Sequence, residues 1–376
     1  MTVDQDGTSD AIEIAAPAKV NLALLVGPTR PDGFHELASL MVPVTLGDLV
    51  VVRRTPGEDL AVDCAVCPGE QNLAARMVRE LETRLGRGFE VAVEVHKQIP
   101  VGAGLAGGSS DAAATLVALE RLFDLDLPAR LRYEVAAAVG SDIPFFLWPG
   151  AQLAMGRGQL LKDRALPAPL HLVIAVPSAE LSTRTVYGWR DEDVEVTLAD
   201  FAPRARMLSS RAAAAHTLHD LAALVENDLE ASVVARRPEV GALRDRLLAE
   251  GALTAAMTGS GAAVFGLFAD VEAASRARAR LLAASHDDAP DGSAAAPSGG
   301  LPAGRVFCVT DLQAAPGSGR RGDAAGGSHS GSRSGPRPSA GPRRSGGPHP
   351  PAPSGAPRRR ARTARRRPSG RPPASS

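Results

Sequence analysis

Four glycines within residues 99–114, IPVGAGLAGGSSDAAA, constrain this chain more than any other feature. Gly102, Gly104, Gly107 and Gly108 stand between an alternating strand pattern and an Ala-rich helical run. Glycine lets backbone N–H groups come close to an anion, and the first turn of the following helix adds unpaired donors and the positive end of a dipole. Such a junction is built to hold phosphate. Ser109 or Ser110 is placed to cap that helix, and either hydroxyl could also reach a phosphate or a metal.

Three glycine motifs compete for these residues. Gly102, Gly104 and Gly107 fit G-x-G-x-x-G, but a dinucleotide fold needs that motif after a buried parallel strand, which reads as a near-continuous apolar run. Here Glu90, Glu94 and His96 interrupt residues 89–97, FEVAVEVHK, and the segment then passes through Pro100. That alternation predicts a half-exposed antiparallel strand. The Walker pattern nearly fits from Gly102 to Gly107, but Gly108 stands where its lysine belongs. A protein-kinase loop requires HRD and DFG tripeptides, and neither occurs. What remains is a phosphate cradle whose cation comes from elsewhere in the chain.

Of 42 basic residues only three are lysines, Lys19, Lys97 and Lys162, against 39 arginines. An ammonium is a compact point charge that approaches a reacting oxygen better than a planar guanidinium, so a retained lysine is a candidate for chemistry. Lys162 has no distinctive neighbours and reads as solvated surface. Lys97 immediately precedes the glycine segment, and Lys19 lies in APAKVNL, residues 16–22.

APAKVNL, IPVGAGLAGGSSDAA, GSDIPFF at residues 140–146 and MTGSGAAVF at residues 257–265 follow one another in that order. Together they resemble the ordered motifs of the galactose, homoserine, mevalonate and phosphomevalonate kinase superfamily. RPDGFHEL at residues 30–37, with the pairing of APAKVNL and GSDIPFF, resembles the branch that phosphorylates a CDP-linked methylerythritol. The resemblance runs from about residue 14 to residue 312. It departs from the pattern at Ala103 and Ala106, where glycine is frequent; alanine gives up some backbone freedom but stays small, a tolerated variation.

The resemblance implies an α+β, two-domain small-molecule kinase fold, with an N-terminal half like a ribosomal-protein domain over residues 11–165 and a ferredoxin-like half over residues 166–315. It implies ATP-dependent phosphorylation of the acceptor's 2-hydroxyl in isoprenoid precursor synthesis, with ATP as co-substrate and Mg²⁺ as the phosphate-bridging ion. Such a reaction needs a phosphate cradle, a cation on the transferring group and a carboxylate near the attacking hydroxyl. Asp142, in a Gly-Ser-Asp-Ile-Pro turn backed by Phe145 and Phe146, suits a general base, although such sequences also supply turn and capping aspartates. Lys19 beside it would lower the hydroxyl's pKa, stabilise the developing charge and keep the aspartate ionised.

The resemblance implies the same catalytic roles for Lys19 and Asp142. It places ATP on Lys97, Pro100, Val101, Gly102, Ala103, Gly104, Leu105, Ala106, Gly107, Gly108, Ser109 and Ser110, with Ser110 a candidate metal ligand. For the cytidine base it implies Asn21, Phe34 and His35, an aromatic face with polar contacts to the pyrimidine edge. Tyr187 could close the opposite face of a sandwich or simply pack at a helix start. Gly259, Ser260 and Gly261, in a strand-turn-strand arrangement, would turn backbone N–H groups toward substrate or phosphate.

Strand-like runs at residues 20–26, 49–54 and 89–97 alternate with helical ones at 71–85, 110–123 and 129–139. From residue 171 the order becomes strand, helices, strand, strand, helix, strand, ending at 305–310, a βαββαβ-like half. Residues 1–10 are polar and expected to be loose, with no export signal, and no apolar run reaches membrane-spanning length. Residues 285–304 read as a flexible Pro/Gly-rich loop and residues 316–376 as a disordered tail. That tail carries 14 arginines and one aspartate, leaving 28 basic and 41 acidic residues before it, so the neutral total conceals an acidic body with a basic extension. Nucleic acid would engage it only through nonspecific charge attraction. Cys64 and Cys67 form one C-x-x-C without a second pair, poor material for zinc, and Cys308 is isolated. Three cysteines without an export signal point to a reduced, cytoplasmic setting, and a monomer or homodimer is the expected assembly. A sibling small-alcohol kinase and a nucleic-acid-binding protein are the alternative readings.

Overall fold

The computed structural model describes residues 10–178, 180–287 and 303–312. The expected loose N-terminus up to residue 9, the centre of the 285–304 loop and the 316–376 tail lie outside them. Along the chain come β1 (Ala11–Thr29), β2 (His35–Arg54), β3 (Ala61–Cys64), α1 (Leu73–Leu85), β4 (Val91–His96), α2 (Gly107–Leu122) and α3 (Ala129–Val139). A 3-10 turn (Ile143–Leu147), β5 (Ala151–Gly156), β6 (Leu160–Arg164), β7 (His171–Pro177), α4 (Thr183–Asp193) and α5 (Leu198–Ala214) follow. The last are α6 (Leu218–Ala222), β8 (Glu226–Asn227), α7 (Glu230–Arg236), α8 (Pro238–Ala249), β9 (Thr254–Met257), β10 (Val264–Phe268), α9 (Val271–Asp287) and β11 (Ala303–Thr310).

β1 and β2 form an antiparallel ribbon of 19 and 20 residues, the spine of a seven-stranded sheet ordered β3-β4-β2-β1-β8, with β5 on β2 and β6 on β5. A register shift between Pro17 and Ala18 lets the ribbon absorb a residue that cannot donate to a ladder. β4 pairs antiparallel with β2, as its alternation predicts, and buries Val91, Val93 and Val95 on one face. It also pairs parallel with β3, a neighbour not legible in the sequence. The second sheet runs β11-β7-β10-β9 with every neighbour antiparallel, the ferredoxin-like order expected of a βαββαβ half.

Apolar alternation explains how these layers meet. Along β7, Leu172 and Ile174 join Val20, Leu22, Leu40, Phe265 and Leu267 in the largest core, while Val173 and Ala175 face Leu243, Leu247 and Leu281 of α8 and α9. A strand covered on both faces reads as an unbroken apolar run. A third core sets Met77, Leu81, Leu116, Leu119 and Val135 of α1–α3 on Val50, Val52 and the buried valines of β4. The small Ala112, Ala113 and Ala114 are buried there too, which lets α2 lie close to the sheet and fixes where its first turn opens. Both sheets belong to one unit within residues 1–323.

Candidate active site

α2 starts at Gly107, three residues before the predicted start, because Ala106 takes a left-handed φ of 57° and forms the N-cap. Ser109 and Ser110 therefore lie inside the first turn, and neither caps it, contrary to the sequence expectation. The alanine at 106 is also less neutral than expected, since a Cβ in this region meets the following carbonyl. The turn opens onto a cavity of about 1010 Å³ lined by Lys19, Asn21, Phe34, His35, Lys97, Asp142, Tyr187, Gly259, Ser260 and residues 100–109. Among the expected site residues, Ser110 and Gly261 do not line it.

Three motifs far apart in sequence are tied together behind this cavity. The Lys19 N–H donates to Leu105 O at 3.1 Å, Ala263 N–H to Ala103 O at 3.2 Å, and Asn21 N–H to Thr258 Oγ1 at 2.9 Å. Backbone meets backbone with no room for side chains: a Cβ on Gly104, whose φ is +76°, would lie 2.2 Å from Thr258 O. One on Gly259 would lie 2.5 Å from Gly104 O and 2.9 Å from Lys19 Nζ. The glycines of TGSG are thus required by packing against the glycine loop as well as by their own turn.

Lys19 is buried, and its Nζ donates to Asn21 Oδ1 at 2.5 Å and to Gly104 O at 2.6 Å. Asn21 is itself fixed through its Nδ2, which donates to Ser39 Oγ at 2.7 Å. An ammonium has three donors, so one remains for a substrate oxygen. Burial lowers the Lys19 pKa, and the negative charge of Asp142 opposes that shift. Asp142 precedes the 3-10 turn but makes no capping hydrogen bond to it, so the capping alternative does not occupy its carboxylate. The two side chains interact through space, with no direct ion pair between them among the described residues.

Lys97 is committed to the protein. Its Nζ donates to Asp48 Oδ2 at 2.5 Å and to Asp111 Oδ2 at 2.7 Å, while Asp48 Oδ1 accepts from the N–H groups of Gln98 and Ile99 at 2.5 and 2.8 Å. One ammonium therefore braces the entrance of the glycine loop between two buried carboxylates. The Asp111 carboxyl is pushed up to about 7 by burial, with Lys97 pulling down and Asp48 pushing up. Its Oδ1 and the Ser110 Oγ are both buried and without a hydrogen-bond partner. Asp48 and Asp111 escape sequence reading; an acidic residue opening a run of alanines was the available signal for Asp111.

At the other end, His35 Nε2 lies 2.9 Å from Asp191 Oδ1 and 3.2 Å from Thr29 Oγ1, and its ring packs on Tyr187 at 4.9 Å between centroids. Tyr187 is partly buried against the third apolar cluster, and desolvation raises its phenol pKa, with Asp142 contributing in the same direction. Phe34 remains 47% exposed and carries the Arg157 guanidinium 4.9 Å from its ring centroid. Tyr187 thus partners His35 rather than facing Phe34 in a preformed sandwich. Asp191 and Arg157, both lining the cavity, are absent from the sequence-derived set.

No helix among the described residues is long and apolar enough to cross a membrane. The GHMP kinases N terminal domain matches residues 72–150 and the GHMP kinases C terminal domain matches residues 210–287. The 4-diphosphocytidyl-2-C-methyl-D-erythritol kinase of Gloeobacter violaceus is 40% identical over 261 residues, 69% of this chain and 86% of that protein. The enzyme of the same name from Symbiobacterium thermophilum is 39% identical over 73% of this chain and 97% of that protein. A crystal structure of 4-(cytidine 5'-diphospho)-2C-methyl-D-erythritol kinase superposes with a TM-score of 0.63 at 32% identity, over 81% of this chain and 100% of that one. A homoserine kinase from Cytophaga hutchinsonii gives the same TM-score, 0.63, at 19% identity, a likeness of fold alone. Identity at this level across nearly the whole length of such relatives means that the chain belongs to the 4-diphosphocytidyl-2-C-methyl-D-erythritol kinase family of the GHMP kinases.

Proposed function

We propose that this chain phosphorylates the 2-hydroxyl of 4-diphosphocytidyl-2-C-methyl-D-erythritol with ATP, giving the 2-phosphate and ADP, with Asp142 as general base and Lys19 as the cation at the reacting oxygens. The observation that carries this reading is the arrangement at Gly104. Its carbonyl holds the Lys19 ammonium, while the uncommitted Asp142 carboxylate lines the same cavity. The acceptor hydroxyl gives its proton to Asp142 as its oxygen attacks the γ-phosphorus, and the bond to the ADP oxygen breaks. The N–H groups of the glycine loop and of the first turn of α2 receive the phosphates. Phe34 offers an open aromatic face to the cytosine, and His35, fixed by Asp191, offers its ring edge.

Mg²⁺ fits the residues at the start of α2. Asp111 Oδ1 and Ser110 Oγ are buried oxygens without partners, and one or two protein oxygens beside phosphate are what this ion takes. Asp111 lines the cavity and Ser110 lies behind it, so Asp111 is the better placed of the two. When bound, the ion neutralises charge on the phosphates. An ADP-release assay offering the CDP-alcohol, homoserine and mevalonate in turn tests the proposal. Turnover of the CDP-alcohol alone is expected, and turnover of either other alcohol in its place would move the chain to a sibling activity.

A further inference from the structure

With the acceptor's cytosine proposed at Phe34 and His35 and its reacting hydroxyl at Asp142, the diphosphate between them has no partner assigned. Four lysines and arginines line the cavity among the described residues. Lys97 is matched by two carboxylates and Lys19 is engaged by Asn21 and Gly104. Arg184 belongs to the first turn of α4, where Thr183 meets Ser260 at 2.9 Å, on the side of the TGSG loop. Arg157 is the cation on the side of the base.

Its position spans the gap. Arg157 sits in the turn between β5 and β6, which is held by its own N–H donating to Gln159 Oε1 at 2.8 Å and by Gly158 N–H donating to Met155 O at 3.1 Å. The next residue, Gly158, faces the Asp142 carboxylate: a Cβ built there would lie 3.7 Å from Asp142 Oδ1. The Arg157 guanidinium lies over the Phe34 ring, 4.9 Å from its centroid. That guanidinium makes one long hydrogen bond, 3.4 Å to Ala137 O, and no direct ion pair among the described residues, its charge reaching the Asp32 carboxylate only through space. Contact with an aromatic face leaves most guanidinium N–H groups free, and their fork matches phosphate oxygens.

We propose that Arg157 binds the diphosphate bridge of the CDP-alcohol and so sets the distance between the seated base and the reacting hydroxyl; this rests on the reading under Proposed function. Calorimetric titration of the full chain with cytidine and with CDP separates the bridge from the base. Wild type should bind CDP more tightly than cytidine. Arg157→Ala should lose about 10- to 100-fold on CDP, the worth of a charge-assisted hydrogen bond, with cytidine within about twofold. Arg157→Lys should recover part of the loss. In turnover, KM for the CDP-alcohol should rise in Arg157→Ala while KM for ATP holds. Equal weakening of cytidine and CDP would make Arg157 a prop for Phe34 and overturn the proposal, as would an unchanged preference for CDP. Wild type that fails to turn over the CDP-alcohol removes the functional reading and this proposal together; wild-type turnover with an unaltered Arg157→Ala removes only the assignment of Arg157.

Discussion

The Nζ of Lys19 donates a 2.6 Å hydrogen bond to the carbonyl oxygen of Gly104, so the cation assigned to the acceptor is held by the loop assigned to the phosphates. Any change that moves the loop moves the ammonium. Gly104→Ala tests this coupling. A Cβ there would sit 2.2 Å from Thr258 O and 2.9 Å from Gly261 N, both backbone atoms that cannot swing aside, at a φ of +76°. Strain and overlap together should destabilise the fold by on the order of 3 kcal/mol. Urea unfolding measures the first effect and kcat the second; both should fall.

Ala106 is the opposite case. It holds φ 57° as the N-cap of α2 without glycine's freedom. Ala106→Gly should therefore stabilise the chain by about 0.5–1 kcal/mol, strain relief less the extra entropy of the unfolded glycine. Thermal unfolding checks this, with a raised Tm expected.

Lys97→Met would leave the buried Asp48 and Asp111 carboxylates without their shared cation, a loss of about 3–5 kcal/mol. Adding Asp111→Asn should restore part of it, which a double-mutant cycle would read as a coupling energy. Acid should soften the penalty. A carboxyl raised from 3.8 to about 7 favours the fold in its protonated form, a contribution present below 3.8 and lost as pH rises through about 7.

The pH dependence of kcat should carry the mark of Lys19. Burial lowers its pKa below the ordinary 10.5, so an ammonium needed for transfer is lost earlier on the alkaline side than a surface lysine would be. The alkaline limb of the profile should fall below 10.5 and move upward in Lys19→Arg, whose guanidinium stays protonated.

What was legible in the sequence follows from how the information is written. Lys19, the glycine segment, Asp142 and the TGSG turn each lie in a short motif, and the structure brings them to one cavity. The ferredoxin-like half was legible because its strands and helices keep clear periods. The start of α2 was misplaced because alanine at a left-handed cap gives no local sign, whereas serine is the usual one. Asp48 was missed because its role depends on a partner 49 residues away, which only the register of β2 against β4 brings near. Asp191 and Arg157 were missed for the same reason: His35 and Phe34 meet them only after α4 and the β5–β6 turn have packed on the β1–β2 ribbon.

The central claim is that the Asp142 carboxylate, free of any capping duty, takes the proton of the acceptor hydroxyl. Single-turnover ADP formation from ATP and the CDP-alcohol, compared between wild type and Asp142→Asn, tests it most directly. The substitution keeps the size of the side chain and removes its basicity. The rate should fall by about 10²- to 10⁴-fold with CDP affinity little changed. A wild-type rate in Asp142→Asn would contradict the account.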